Sequence, residues 1–369
     1  MLTIGLDVHQ RFFAVCILDV NGERVKELQV RGRWPKLIEQ LKQLAEPFAI
    51  CYEASCGYGH VYDQLTPIAR RVLVAHPGQL RLIFRSKKKN DRVDARKLAT
   101  LLYLDQVPTV HVPRVDVRSW RSFIEFRRRL VDKRTRVKNS LRALLRGHGI
   151  AAAGGKRLWT KKGRAWLGEV ELPTSQMVVQ RDLLLDELEH LSKNVSRVER
   201  ELNARARSEA GVCLLRTIPG VGPRTAEAVA AYIDDATRFA RSKQVGSYFG
   251  LVPSQDQTFP RNRLGHITRE GPATVRKLLV EAAWQGIRRS ARIQAHFAQV
   301  RGDDPQRKKI ALIATAHWLV RVMYTMLRTG ETWRPEPQRP TSGTEGTLAT
   351  EGGGEVEGER AAADQREVA

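Results

Sequence analysis

The first hundred residues alternate between strand-like and helix-like patterns of apolar positions. Apolar runs rich in β-branched and aromatic residues predict five strands, and Asn21-Gly22 between the second and third predicts a tight hairpin. The predicted strands are Leu2–Val8, Phe12–Val20, Val25–Val30, Phe48–Tyr52 and Val72–Ala75. Helical spacing predicts a helix around Leu37 and Leu41 and another over 91–104. We therefore expect an α/β domain over residues 1–115.

The pattern changes after about residue 115. Over 117–146, apolar positions recur at helical spacing, and eleven Lys or Arg residues against two acids lie between them. After a Gly- and Ala-rich break, a second long helix extends to about residue 208. Six of its apolar residues follow the 4-3-4-3-4 spacing of a coiled-coil seam: Leu184, Leu188, Leu191, Val195, Val198 and Leu202. Residues 116–208 should thus form a basic helical region, as a short coiled coil or a helical hairpin.

Residues 209–330 are predicted to form a third, mainly helical domain. Residues 331–369 contain nine acids and four bases without periodicity, so we expect a disordered acidic tail. The chain as a whole has a net charge of +23, so residues 1–330, with 59 bases and 31 acids, carry +28, and this surplus favours a polyanionic partner. The apolar stretch Ile310–Val320 is too short to span a bilayer. We expect a core helix there, no membrane partner, and a cytoplasmic, nucleoid-associated location of prokaryotic type.

Four acids occur where predicted strands and a helix can bring them together. Asp7 interrupts the first strand, Glu53 follows another, and Asp91 and Asp94 begin a helix at i,i+3 spacing. Three antiparallel strands followed by alternating strands and helices are typical of an RNase-H-like domain. Four such carboxylates can bind Mg²⁺, and two ions about 4 Å apart can promote chemistry at phosphorus. Singly, each acid would be an ordinary turn or capping residue. His9 shows no metal-ligand spacing, and we expect no role for it.

Three further segments predict contacts with nucleic acid. The bases of the 117–146 helix are too numerous for an ordinary solvated face. Those expected to bind nucleic acid are Arg127, Arg128, Arg129, Lys133, Arg134, Arg136 and Lys138.

Residues 218–222 match the turn of a helix-hairpin-helix element, in which backbone N–H groups bind a phosphate. The alternative is that this turn is only a packing joint between two helices. Its expected contacts are Gly220, Gly222 and Arg224. Residues 250–271 form a polar, basic loop between two helices by composition, with Arg261 and Arg263 as expected contacts.

At these motifs the sequence resembles the insertion-sequence 110 transposases, which are DEDD-type recombinases guided by a bridge RNA. The resemblance covers essentially all of residues 1–330 and is carried by six motifs. They are Gly-Leu-Asp-Val-His at 5–9, Tyr-Glu-Ala-Ser-Cys-Gly at 52–57, Asn-Asp-Arg-Val-Asp-Ala-Arg-Lys-Leu-Ala at 90–99, Ile-Pro-Gly-Val-Gly at 218–222, Gly-Leu-Val-Pro at 250–253 and Arg-Leu-Gly-His-Ile-Thr-Arg-Glu-Gly at 263–271. It implies a RuvC-like N-terminal domain whose metal-binding tetrad is Asp7, Glu53, Asp91 and Asp94. It also implies that the basic helices bind a structured guide RNA, which pairs with donor and target DNA.

The resemblance further implies a serine nucleophile that forms a covalent protein–DNA intermediate. Relatives carry this serine before small residues, shortly after Gly-Leu-x-Pro. With no gap, that stretch falls on Thr258-Phe259-Pro260-Arg261. Thr258 is therefore the expected nucleophile, although its methyl group crowds the hydroxyl, and Ser254 is the alternative.

The leading hypothesis is an RNA-guided DNA transposase that cuts and rejoins strands with Mg²⁺ and a hydroxyl nucleophile. Strand exchange needs several active sites at once, so we expect a homo-oligomer, a dimer or tetramer, with the 184–202 seam as a contact. Two alternatives are a RuvC-like junction nuclease that uses the acidic site alone, and a decayed transposase that only binds nucleic acid.

Overall fold

A mixed sheet forms the centre of the N-terminal part. The structure is a computed structural model that describes residues 1–9, 11–84, 90–152, 154–259 and 261–335. Its strands are β1 (Leu2–Val8), β2 (Phe12–Leu18), β3 (Arg24–Arg31), β4 (Phe48–Glu53) and β5 (Arg71–Ala75), paired in the order β3-β2-β1-β4-β5. β2 is antiparallel to β1 and β3, whereas β4 is parallel to β1 and β5. The carboxyl ends of β1 and β4 therefore lie side by side. All five predicted strands are confirmed, with small shifts at their ends.

Helices cover both faces of this sheet, and the two faces differ in side-chain size. On one face, α1 (Trp34–Lys42) and α2 (Tyr58–Leu65) bury large side chains such as Leu37 and Leu65 against Ile4 and Tyr52. α3 (Pro77–Ile83) follows β5. On the other face, α4 (Asp91–Tyr103) packs against small residues. They are Ala14, Cys16, Ala49 and Cys51 on the sheet and Ala95 and Ala99 on the helix. The small side chains let α4 lie close to the strands.

Gly5 marks the closest approach between α4 and β1. A Cβ atom at Gly5 would lie 1.9 Å from the carbonyl oxygen of Ala95 and 2.4 Å from the backbone nitrogen of Ala99. Real Cβ atoms essentially never come within 3.0 Å of such atoms. A residue without a side chain is therefore required at this position for the observed packing.

The two long helices form a hairpin within the chain. α5 (Val115–Gly147) is followed by the short α6 (Lys161–Glu169) and by α7 (Ser175–Ser208). The predicted seam of α7 is largely buried and shares one core with Trp120, Ile124 and Leu141 of α5. Of the two alternatives, the helical hairpin is therefore observed. The expectation that the seam forms an oligomer contact is wrong, because α5 of the same chain already covers it.

The remaining helices pack on the same core. They are α8 (Ala210–Leu215), α9 (Pro223–Ile233), α10 (Ser242–Tyr248), α11 (Ala273–Ile287), α12 (Ala291–Arg301) and α13 (Lys308–Thr329). Between α10 and α11, where composition predicted a loop, β6 (Pro253–Thr258) and β7 (Arg261–Ile267) form an antiparallel hairpin. This prediction was wrong because β6 is exposed throughout, so its sequence lacks the apolar alternation of a half-buried strand.

The C-terminal helix is longer than its apolar pattern predicted. Within the described residues, one segment, Pro305–Thr329, is long and apolar enough to cross a membrane by length and composition alone. The predicted stretch Ile310–Val320 is thus only part of a longer apolar segment. The burial of Leu319, Val320 and Met323 in the C-terminal core nevertheless agrees with a core helix. The acidic tail that we predicted to be disordered lies, beyond residue 335, outside the described residues.

Candidate active site and nucleic-acid-binding surfaces

The sheet and α4 bring the four predicted acids to one end of one face. Side chains alternate along a strand, so Asp7 points to the same face as Gly5, the face that α4 covers. Glu53 follows Cys51 by two residues and faces the same way. The parallel register pairs Leu6 with Tyr52, so Asp7 and Glu53 are the next residues on adjacent strands.

The N-terminus of α4 supplies the other two carboxylates. Asn90 caps this helix, since its side-chain oxygen accepts a hydrogen bond from the Arg92 N–H at 3.1 Å. Asp91 and Asp94 occupy the first turn, on the side that approaches the end of β1. Asp94 also forms an ion pair with Lys97, whose Nζ lies 3.0 Å from its carboxylate. The topology thus gathers residues that are 87 positions apart in sequence, from Asp7 to Asp94.

His9, for which no role was expected, also lies in this cluster. Its Nε2 lies 3.0 Å from Oδ2 of Asp7 and 3.1 Å from Oδ1 of Asp91. The imidazole ring stacks on Phe12 with a centroid distance of 4.5 Å. A signal for this placement was present in the sequence, because residues two apart on a strand share a face. The expectation of no role rested on spacing between histidines and overlooked the spacing between His9 and Asp7.

The site is partly buried and rich in negative charge. Burial raises the pKa of Asp7, and the nearby carboxylates of Asp91 and Asp94 raise it further, while the hydrogen bond and charge of His9 oppose the shift. One ligand atom from each of Asp7, His9 and Asp91 can be chosen so that all three lie within 4.8 Å of one another. Carboxylate oxygens and an imidazole nitrogen at this spacing fit a divalent cation. Such an ion would relieve the repulsion between the acids.

Five of the seven predicted nucleic-acid-binding residues of α5 fall into two classes. Arg127 and Arg128 are engaged within the protein: Arg127 Nε donates to Glu199 at 2.9 Å, and Arg128 pairs with Glu125 and Asp132. By contrast, three exposed bases recur at i, i+4 and i+7 along one side of the helix: Arg129, Lys133 and Arg136. We call them the basic row. Among the described residues, we find no ion pair or hydrogen bond to their side chains, so this row can contact phosphates.

A second group of bases surrounds Trp159. Lys138 Nζ and the Arg142 guanidinium carbon lie 4.9 and 5.1 Å from the centre of its ring. Burial lowers the pKa of Lys138, and the charges of Arg134, Arg142 and Arg164 lower it further. The mutual repulsion of these cations would be relieved by a bound anion.

The Pro-Gly-Val-Gly turn joins α8 to α9, and its residues have different environments. Gly220 has a φ of +91°, and a Cβ there would lie 2.4 Å from the backbone nitrogen of Gly286 on α11. Gly222, at the start of α9, has open space around its Cα. Arg224 points inward, with Nη1 2.8 Å from the fully buried carboxylate of Glu227. This arrangement favours the packing joint for Gly220 and Arg224, whereas Gly222 is accessible to a phosphate.

Both candidate nucleophiles lie on the exposed β6–β7 hairpin. Thr258 pairs in register with Arg261 beside the tip, where the Phe259 side chain is 97% exposed. Ser254 lies near the base of the hairpin, and its Oγ would be 2.5 Å from a Cβ at Gly265. The backbone at Gly265 therefore leaves room for this hydroxyl.

Comparisons with known proteins agree with these features. The DEDD-type IS110 family described as "Transposase" matches residues 4–150, and the family described as "Transposase IS116/IS110/IS902 family" matches residues 212–298. The "Probable family 20 transposase" of Pseudomonas aeruginosa is 28% identical over 90% of this chain and 98% of its own length.

Two further relatives are named for the elements that encode them. The transposase for insertion sequence element IS1111A of Coxiella burnetii is 28% identical over 76% of each chain. The transposase for insertion sequence element IS1328 of Yersinia enterocolitica is 26% identical over 76% of this chain and 82% of its own length. The two matched families together cover more than half of the sequence, and the acids lie within the first of them. The chain therefore belongs to the IS110 family of insertion-sequence DNA transposases.

Proposed function

We propose that this transposase is an RNA-guided DNA recombinase that cuts and rejoins strands with Mg²⁺ and the hydroxyl of Thr258. The observation that carries the proposal is the convergence of Asp7, Glu53, Asp91 and Asp94 at one end of one sheet face. The strand order β3-β2-β1-β4-β5, with three antiparallel strands followed by two parallel ones, supports an RNase-H-like, RuvC-like domain.

The four carboxylates would hold the metal, since hard divalent cations take oxygen ligands. When bound, Mg²⁺ supplies positive charge that stabilises the phosphate oxygens as the P–O bonds change. The partial burial of Asp7 strengthens its interaction with such a charge. Lys97, paired with Asp94, places a further cation beside the site.

Thr258 would form the covalent link to DNA. Its hydroxyl oxygen attacks phosphorus and loses its proton, the P–O bond to the departing strand breaks, and that strand's oxygen takes up a proton. Attack by a hydroxyl of the new DNA partner reverses the exchange and restores Thr258. Arg261 and Arg263 on β7 would hold the DNA backbone beside the hairpin.

The basic row of α5 and the bases around Trp159 would contact the backbone of the guide RNA, while base pairing reads the DNA sequence. Gly222 would contribute backbone contacts at the start of α9, as in a helix-hairpin-helix element. We propose a domain division at 1–115, 116–208 and 209–330 and a homo-oligomer, a dimer or tetramer, whose contact lies outside the buried α7 seam. We further propose a cytoplasmic location, where DNA and RNA are accessible.

The test is to incubate the purified protein, its flanking noncoding RNA and supercoiled DNA with Mg²⁺, and to look for a covalent protein–DNA adduct. We expect an adduct that is lost in Thr258→Ala and kept in Ser254→Ala. The opposite pattern would assign the nucleophile to Ser254. Cleavage without an adduct would indicate a junction nuclease, and RNA binding without cleavage would indicate a decayed transposase.

The same assay tests the metal-binding role of the acids through the variant Asp7→Asn. Asp7→Asn should abolish Mg²⁺-dependent cleavage, because a neutral amide is a poor ligand for the metal, while the fold is retained. Asp105→Asn is the matched control, since Asp105 pairs with Arg71 at the surface and its φ of +53° suits asparagine. Unchanged cleavage by Asp7→Asn would contradict the tetrad assignment.

A further inference from the structure

His9 occupies a position that the acidic tetrad does not explain. Its Nε2 faces two carboxylate oxygens, 3.0 Å away on Asp7 and 3.1 Å away on Asp91. Stacking on Phe12 orients the ring, and the His9 backbone N–H donates to the Phe12 carbonyl at 3.1 Å. The stacking contact and the backbone hydrogen bond therefore both keep the imidazole beside the two carboxylates.

The spacing of these atoms is that of ligands around one ion. Adjacent ligand atoms of an octahedral ion with bonds of about 2.1 Å are separated by about 3.0 Å. The two separations from Nε2 agree with this value within 0.1 Å. The ligand atoms of all three side chains lie within 4.8 Å of one another, so a single ion can contact all three.

We propose that His9 is a direct metal ligand, so that the site combines one imidazole nitrogen with carboxylate oxygens. This inference rests on the proposed function, since it assumes that the tetrad holds a divalent cation. His9 binds through the lone pair of Nε2, with the ring proton on Nδ1. The nitrogen ligand changes the metal preference of the site, because imidazole suits first-row transition metals such as Fe²⁺ and Ni²⁺, whereas Mg²⁺ prefers oxygen ligands.

The first test uses Mn²⁺ as the probe and pulsed electron paramagnetic resonance as the readout. Full-length protein with bound Mn²⁺ should show a hyperfine coupling to a directly bound ¹⁴N. The coupling should change to the ¹⁵N pattern when the protein is labelled with ¹⁵N-histidine. This measurement needs no variant, so it stands even if substitution of His9 impairs folding.

The variant His9→Asn tests whether the coupled nitrogen belongs to the His9 side chain. We expect the coupling to disappear and the Kd for Mn²⁺ to rise at least about ten-fold, with a smaller rise for Mg²⁺ measured by competition. His60→Gln is the control, because His60 is also in the N-terminal domain but is exposed on α2. It should leave both the coupling and the Kd unchanged.

The outcomes separate the two proposals. Mn²⁺ binding that Asp7→Asn weakens, without any nitrogen coupling in the unsubstituted protein, would overturn the role of His9 and leave the tetrad in place. A nitrogen coupling that persists in His9→Asn would also overturn it. Mn²⁺ binding that Asp7→Asn does not weaken would overturn the tetrad itself, and with it the proposed function.

Discussion

Gly5 connects the packing of α4 to the chemistry of the acids, and Gly5→Ala tests that connection. Its missing side chain allows the α4 backbone to lie directly on β1. The same approach places Asp91 beside His9 and Asp7. A methyl group at this position must therefore push the helix away from the strand and separate the two halves of the proposed metal site.

The size of the displacement follows from the structure. The new Cβ would lie 1.9 Å from the Ala95 carbonyl oxygen, whereas ordinary contact begins at 3.4 Å, so α4 must move by about 1.5 Å. Overpacking of this kind costs about 1 to 3 kcal/mol of folding free energy. Metal–ligand distances stay within about 0.2 Å of their standard values, so a movement of this size is far beyond what the site tolerates.

We therefore expect Gly5→Ala to fold with reduced stability and to lose at least about ten-fold in Mn²⁺ affinity. Urea unfolding measures the first effect and isothermal titration calorimetry the second. Gly168→Ala in α6 is the control, because nothing lies within 4 Å of a Cβ there. It should be neutral or stabilise the helix by up to about 1 kcal/mol. Wild-type stability and metal affinity in Gly5→Ala would refute the proposed link.

Three further predictions concern the core, the basic row and the nucleophile. Glu227→Ala should lower the free energy of unfolding in urea by about 3 to 5 kcal/mol, because it leaves Arg224 without its buried partner. Glu199→Ala removes one member of a partly exposed pair and should lower it by less than about 1 kcal/mol. Equal effects would contradict this account. Lys133→Gln combined with Arg136→Gln should make the salt dependence of binding to structured RNA less steep. In filter binding, the negative slope of the logarithm of the association constant against the logarithm of the salt concentration should shrink in magnitude by roughly 1.4 to 1.8. An unchanged slope would show that neither residue contacts phosphate. Thr258→Ser should form the covalent adduct faster than the unsubstituted protein because it lacks the crowding methyl group; a slower rate would argue against Thr258 as the nucleophile.

The central strands of the N-terminal sheet, β2, β1 and β4, were predictable because they are largely buried. Burial imposes an apolar pattern on the sequence, so β1 and β4 could be recognised and Asp7 and Glu53 placed at their ends. The distance between Asp7 and α4 could not be predicted, because it depends on which small residues face each other across the interface. Gly5 and Ala95 are ordinary residues in the sequence, and only their contact in the fold shows what they do.

The basic and polar segments were less predictable for a different reason. A charge pattern shows how many bases lie on a helix, but it does not show which of them have acidic partners from other elements. Arg127 is satisfied by Glu199, which is 72 residues away, and Arg224 turns inward to Glu227. Neither pairing leaves a periodic signal that would separate these arginines from the basic row.

The two parts of the proposed active site are held in different ways, and this difference bears on how the reaction is controlled. The acids are fixed by the sheet and by α4, so the proposed metal site is assembled before substrate binds. At the base of the hairpin that carries Thr258, the Thr268 N–H donates to the Val252 carbonyl at 2.9 Å, and all of β6 is exposed. Core packing therefore does not set the distance from Thr258 to a DNA phosphate. We propose that contacts between nucleic acid and Arg261 and Arg263 set it, so that covalent chemistry depends on correctly bound DNA.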